Sequence, residues 1–215
     1  MKTKIYQGLY LLLSLNSLTC SVSAQTFNDH LIPEVGIFNI YDFQYEYYSN
    51  VKNKLFNGIE DRPIIRYQRI PSFSGENLLN IYKRDSTFEI IFLEAKQSIW
   101  YNPEIKPVIY QYRKQITEEE VSLIKALYKA AIDNVRYPKE DIRGLDGTTY
   151  IFSYLAYGLR TGKTWSPKKG TLLDRLVDIS NQIIENVKRV SKKMIITEKI
   201  EEQILSLTRE FNHQN

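Results

Sequence analysis

Short runs rich in apolar and aromatic residues, separated by turn residues, occupy the middle of the chain. Residues 64–70, 78–83 and 87–95 are rich in Ile, Phe and Tyr, and are separated by PSFSGE and by Arg84-Asp85-Ser86. Runs of this length bounded by turn chemistry predict antiparallel strands in a meander. A fourth strand is expected over 108–113, after a loop bracketed by Pro103 and Pro107. A fifth is expected over the aromatic run 148–157, which follows turns at Gly144 and Asp146-Gly147.

At Thr117 the period changes from two to 3.6. Thr117 and Glu120 form a capping-box signature, and Val121, Ile124, Tyr128, Ala131 and Val135 then mark one apolar face up to Pro138. Leu172, Leu173, Leu176, Ile179, Ile183, Val187 and Val190 trace a second amphipathic helix. Thr197 is placed to cap a last helix carrying Ile200, Ile204, Leu207 and Phe211. Residues 38–48 fit both periods. Tyr41, Phe43, Tyr45 and Tyr47 alternate as in a strand, while Phe38, Tyr41, Tyr45, Tyr48 and Phe56 share a helical face, and a stop at Gly58 favours the helix. The resulting expectation is an α+β fold: an antiparallel sheet of about five strands covered by two or three helices. Residues 25–62 are an extension, read as helical, packed with an α+β domain over 63–215 as one unit.

The N-terminus changes the setting. Two lysines, an apolar run from Leu9 to Leu18 and the small residues Val22-Ser23-Ala24 have the layout of a secretory signal peptide cleaved after Ala24. The apolar run falls short of the roughly 20 residues a spanning helix needs. A lipid-modified Cys20 is a lesser alternative, because Ser17-Leu18-Thr19 is a poor context for that processing. The expected location is therefore secreted or periplasmic. Cleavage would remove Lys2, Lys4 and the one cysteine, lowering the formal charge from +4 to near neutrality. A near-neutral balance with interspersed Lys and Arg does not suit a nucleic-acid binder. Without cysteine the mature chain would have no disulfide, thiol nucleophile or thiolate metal site, and would rely on a hydrophobic core.

Candidate chemistry narrows from there. GLRTGKT, residues 158–164, resembles the phosphate loop G-x-x-x-x-G-K-[ST], but the first glycine should stand where Tyr157 is. Trp165-Ser166-Pro167 and Gly170 then defer the helix whose N-terminus would hold the phosphates, so the stretch reads as a turning connection and no nucleotide is expected. The two histidines, His30 and His213, lie near the ends of the mature chain, poor places for a triad or a zinc site. No metal and no cofactor are expected. Glu76, Glu94, Glu140, Asp141 and Asp146 lie at strand ends or in loops and could serve a carboxylate-dependent glycan hydrolase. Each also has an ordinary role as turn former, loop brace or solvated charge, so no residue is assigned as catalytic.

Aromatic residues are the remaining resource: 16 Tyr, 9 Phe and 2 Trp. Trp100-Tyr101 and Trp165 fall in expected loops beside proline, where a flat apolar face with a polar edge can meet a protein partner or a sugar ring. Burial of the same rings is the structural alternative.

The segments IPSFSGE, LDGTTYIF and TGKTWSPKKGT resemble those of a family of secreted proteins common in Bacteroidota, over roughly 64–190. The resemblance implies an envelope location and one intact domain, and it carries no activity and no catalytic residue. The sequence thus leads to a secreted or periplasmic, non-catalytic binding module for a protein or glycan, with Trp100, Tyr101 and Trp165 as candidate contacts. A glycan hydrolase, or an envelope inhibitor or immunity protein, are the alternatives.

Overall fold

The computed structural model describes residues 29–34, 45–100, 106–138, 146–190 and 194–214. The expected signal peptide, Cys20, the first part of the ambiguous 38–48 stretch, Tyr101, Glu140 and Asp141 lie outside them.

The order of elements is β1 (Ile32–Pro33), α1 (Tyr45–Leu55), β2 (Ile65–Pro71), β3 (Asn77–Arg84), β4 (Thr87–Ala95), β5 (Ile109–Ile116), α2 (Glu118–Asp133), β6 (Thr148–Leu155), β7 (Leu159–Trp165), α3 (Leu172–Lys188) and α4 (Glu198–Asn212). The architecture is α+β, with one antiparallel sheet in the order β1-β7-β6-β2-β3-β4-β5. Among the described residues it has seven strands rather than about five, and there are four helices. The expected meander is β2-β3-β4-β5. The chain then crosses one sheet face through α2 and returns on the far side of β2 as the hairpin β6-β7.

The two unexpected strands are β1, only two residues long, and β7, which is the GLRTGKT stretch itself. Arg160, Thr161, Lys163 and Thr164 disguise β7, because a strand beside an edge needs little apolar side chain. Only its start is a turn, where the Ala156 amide donates to the Gly158 carbonyl at 3.0 Å. Gly162 is not a turn residue. A Cβ there would stand 2.7 Å from Val135 Cγ2 and 3.0 Å from Leu31 Cβ, so its hydrogen lets β7 lie close beneath the end of α2.

Strand alternation sorts the sheet into two covered faces. Ile65, Tyr67, Leu79, Ile81, Ile90, Phe92, Ile116, Phe152 and Tyr154 form the main core with α2, α3 and α4. Ile70, Leu78, Tyr82, Ile91, Leu93, Ala95 and Ile151 face the other way, where Val51, Leu55 and Phe56 of α1 and its exit pack on them. From Tyr45 onward the helical period of the ambiguous stretch wins, and Gly58 takes φ +78° just beyond it.

The three helices on the main face are joined by polar ties. Thr117 and Glu120 complete the capping box of α2, and Thr171 and Thr197 cap α3 and α4. The Tyr128 hydroxyl and Ser180 Oγ are 2.8 Å apart between α2 and α3. Arg175 grips Glu210 with two bonds of 2.6 and 2.8 Å between α3 and α4. Buried Asn134, at the end of α2, donates to the Phe211 carbonyl of α4 at 2.8 Å.

Candidate functional site

One end of the sheet gathers the features that the sequence singled out. The register pairs Pro71 with Thr148, Trp165 with Thr149, Asn77 with Glu94, and Ala95 with Ile109. The loops after β2, β4 and β7 and the turn before β6 therefore all emerge at this end. Phe73 sits in the first loop, Trp100 in the second, and Trp165 closes β7.

Phe73 is 67% exposed and Trp100 45% exposed, whereas Trp165 is partly buried. Strand order sets their spacing. β2 lies two strands, roughly 10 Å, from β7 and the same from β4, so the Phe73 loop leaves the sheet between the strand end that carries Trp165 and the loop that carries Trp100. Phe73 and the two tryptophans thus share one end of the sheet, its aromatic rim.

Each ring has a rigid support. The Trp100 ring meets Tyr47 of α1 edge-on, with centroids 4.8 Å apart. Tyr47 in turn donates to Glu76 Oε1 at 2.7 Å. Glu76 is fully buried, and its other oxygen accepts the Ile99 amide at 2.9 Å, while Ser98 Oγ is 3.4 Å from Oε1. Burial first, and then the adjacent Glu76 carboxylate, push the Tyr47 phenol far above its ordinary range, so it stays a donor. Glu76 is therefore the anchor of the loop that carries Trp100, and its carboxylate is occupied by protein donors.

Ser72 clamps the Phe73 loop to the turn before β6. Its amide and hydroxyl both donate to the Gly147 carbonyl at 2.9 Å, and its Oγ lies 3.0 Å from the Gly147 amide. Gly147 also bears flat on Trp165, since a Cβ there would come within 2.5 Å of ring atoms Cε2 and Cζ2. Beyond the ring, Ser166 takes φ +38°, costly for a side chain with a Cβ, and is held by two bonds of 2.9 Å to the Thr148 backbone. DG and WS, read from the sequence as two separate turns, are one locked corner.

The remaining candidates fall elsewhere. Glu94 points to the opposite face from Glu76 and pairs with Lys188 at 2.8 Å. Asp146 is exposed beside Gly147. Lys163, the lysine of the phosphate-loop resemblance, lies in a strand and pairs with Glu34 at 2.5 Å. Among the described residues, no group of three or more His, Cys, Asp and Glu could hold a metal ion. No described helix is long and apolar enough to cross a membrane.

Sequence reading missed Phe73. Its signal was an aromatic residue alone among Pro, Ser and Gly, where no strand or helix could bury it. No family model matches the chain, and comparisons with curated proteins and with solved structures likewise find no match.

Proposed function

We propose that the chain is a secreted or periplasmic binding module, and that the aromatic rim at one end of the sheet is where it meets its protein or glycan ligand. The observation that carries this reading is the joint exposure of Phe73 and Trp100 on loops pinned by buried hydrogen bonds. Holding large apolar rings in water on rigid supports is unfavourable for folding alone, and preorganised aromatics are what a binding surface gains from it. Trp165 lies partly buried at the same end, and Tyr101 follows directly on Trp100 in sequence.

A hydrolase using Glu76 and Glu94 gains no support, because the sheet separates the two carboxylates and each is engaged by protein groups. An inhibitor or immunity role remains a special case of protein binding at the same rim.

The test screens the intact protein, with Phe73→Ala and Trp100→Ala beside it, against an array of bacterial and plant glycans, and by co-precipitation with extracts of the bacterial envelope. A ligand held by the wild type and released by both variants, with thermal midpoints unchanged, supports the rim. A ligand that binds both alanine variants as tightly as the wild type places binding elsewhere and overturns the reading.

A further inference from the structure

The last strand of the sheet raises a separate question. Among the described residues, no strand lies beyond β5. The direction of its free hydrogen-bonding groups can be read from its neighbour. The Lys96 amide donates to the Val108 carbonyl at 2.9 Å, one step past the Ala95–Ile109 pair. In an antiparallel ladder such bonded pairs alternate, so the even residues of β5 turn their backbone groups toward β4. Ile109, Gln111, Arg113 and Gln115 turn theirs outward. Four residues therefore offer amides and carbonyls at an open edge, and Gln111, Arg113 and Gln115 are exposed.

An open edge of this kind templates pairing with another strand unless something blocks it. Here β5 has no proline, no bulge and an unbroken eight-residue pairing with β4. Its sequence, IYQYRKQI, is also nearly self-complementary when reversed. With a two-fold axis at Tyr112, Tyr112 faces its own copy, Gln111 faces Arg113, Tyr110 faces Lys114, and Ile109 faces Gln115. Amide opposite guanidinium and aromatic ring opposite the lysine stem are favourable cross-strand pairs. Moving the axis one residue on would set Arg113 directly against Arg113, which like-charge repulsion disfavours. The axis at Tyr112 also satisfies the backbone, because it makes the outward-turned 111–113 and 109–115 pairs the hydrogen-bonded ones. Any axis that pairs odd residues with odd satisfies the backbone in this way, and the side-chain pairs favour the axis at Tyr112 over that at Arg113.

We infer that two copies of this chain join edge to edge through β5, antiparallel and centred on Tyr112, extending one sheet across the two molecules. Tyr112 then occupies a non-hydrogen-bonded pair, where opposing Cα atoms stand about 4.5 Å apart, within disulfide reach. In such a pair the aromatic rims point to opposite ends of the joined sheet, which gives the assembly two outward-facing binding ends. The pairing rests on the edge alone and not on what the rim binds.

Sedimentation equilibrium on the full chain should show a reversible dimer, and Cys20→Ser/Tyr112→Cys should oxidise to a covalent dimer. Cys20→Ser/Tyr110→Cys serves as control, since its sulfurs would be four residues out of register. Arg113→Pro removes an outward amide while leaving the β4 ladder intact, and should weaken dimerisation about tenfold or more with an unchanged circular dichroism spectrum. A wild type that stays monomeric up to about 100 µM overturns the inference. So does a Tyr112→Cys variant that cross-links no faster than the Tyr110→Cys control, a readout that stands even if the proline variant fails to fold.

Discussion

Glu120 Oε1 accepts the backbone amides of Ile195 and Ile196 at 2.8 and 2.7 Å, while its Oε2 accepts the Thr117 amide at 3.1 Å. One buried carboxylate thus closes the first turn of α2 and pins the connection from α3 to α4, whose Ile195 and Ile196 lie in the main core. Three amide donors compensate the cost of burying the charge, and removing the acceptor strands all three. Glu120→Ala should lower unfolding stability by about 3 kcal/mol in urea denaturation. Glu120→Gln, which keeps one carbonyl acceptor, should lose less. Equal losses would mean that one carbonyl acceptor rescues nothing and that both carboxylate oxygens are needed at once.

Gly75 precedes the anchoring Glu76 and sits against the end of β4. A Cβ there would lie 1.7 Å from the Ala95 carbonyl oxygen, a backbone atom that cannot move without parting β3 from β4. The same junction carries the bond from the Ala95 amide to the Glu76 carbonyl at 2.9 Å. Gly75→Ala should therefore cost at least about 2 kcal/mol and loosen the Trp100 loop together with the fold. A thermal midpoint within a degree of the wild type would contradict this placement.

The legible parts of this fold were those whose cause is local. Helical period and caps marked α2, α3 and α4, and the residues Thr117, Glu120 and Thr197 act as their positions in the sequence predict. The meander β2 to β5 was legible because its strands carry apolar residues between turn formers. β7 was not, since Arg160, Thr161, Lys163 and Thr164 have no apolar alternation, and its strand geometry comes from pairing with β6 and from the glycine that lets it pass beneath α2. The second role of Glu120 was equally hidden, because its partners lie 75 residues downstream. At the rim, sequence could flag Trp100 and Trp165 as aromatics beside turns. It could not show that Glu76 holds one loop, that Ser72 holds another, or that the Phe73 loop leaves the sheet between the segments of the tryptophans, since each depends on how the strands are ordered.

Trp165 offers a local reporter for the locked corner. Gly147→Ala would drive a methyl group into the indole and into Ser166 Oγ, both 2.5 Å from the new Cβ. The ring must swing outward. In a Trp100→Phe background, where Trp165 is the only tryptophan, Gly147→Ala should red-shift the emission and increase acrylamide quenching, with a stability loss of about 1–3 kcal/mol. Unchanged quenching would show that the ring has room to absorb the methyl group in place.

Buried tyrosines set the alkaline limit of stability. Tyr67 and Tyr128 lie in the main core, and burial raises both phenols well above the ordinary value of 10.0. For Tyr47 burial and then Glu76 act in the same direction. A phenol that is harder to ionise folded than unfolded contributes stability that is fully present below about pH 10 and declines as pH rises past that value, because only the unfolded chain gains by losing the proton. In an alkaline titration, phenolate absorbance at 295 nm should rise in two stages. The first stage, from solvent-exposed phenols, should leave the far-ultraviolet circular dichroism unchanged. The buried set should ionise only as that signal collapses. Tyr128→Phe should lose the Ser180 contact yet remove one proton-linked source of alkaline unfolding, so its stability should fall less steeply with pH above 10 than that of the wild type. A single smooth ionisation of all tyrosines before any loss of helix signal would contradict the assigned burial of Tyr67 and Tyr128.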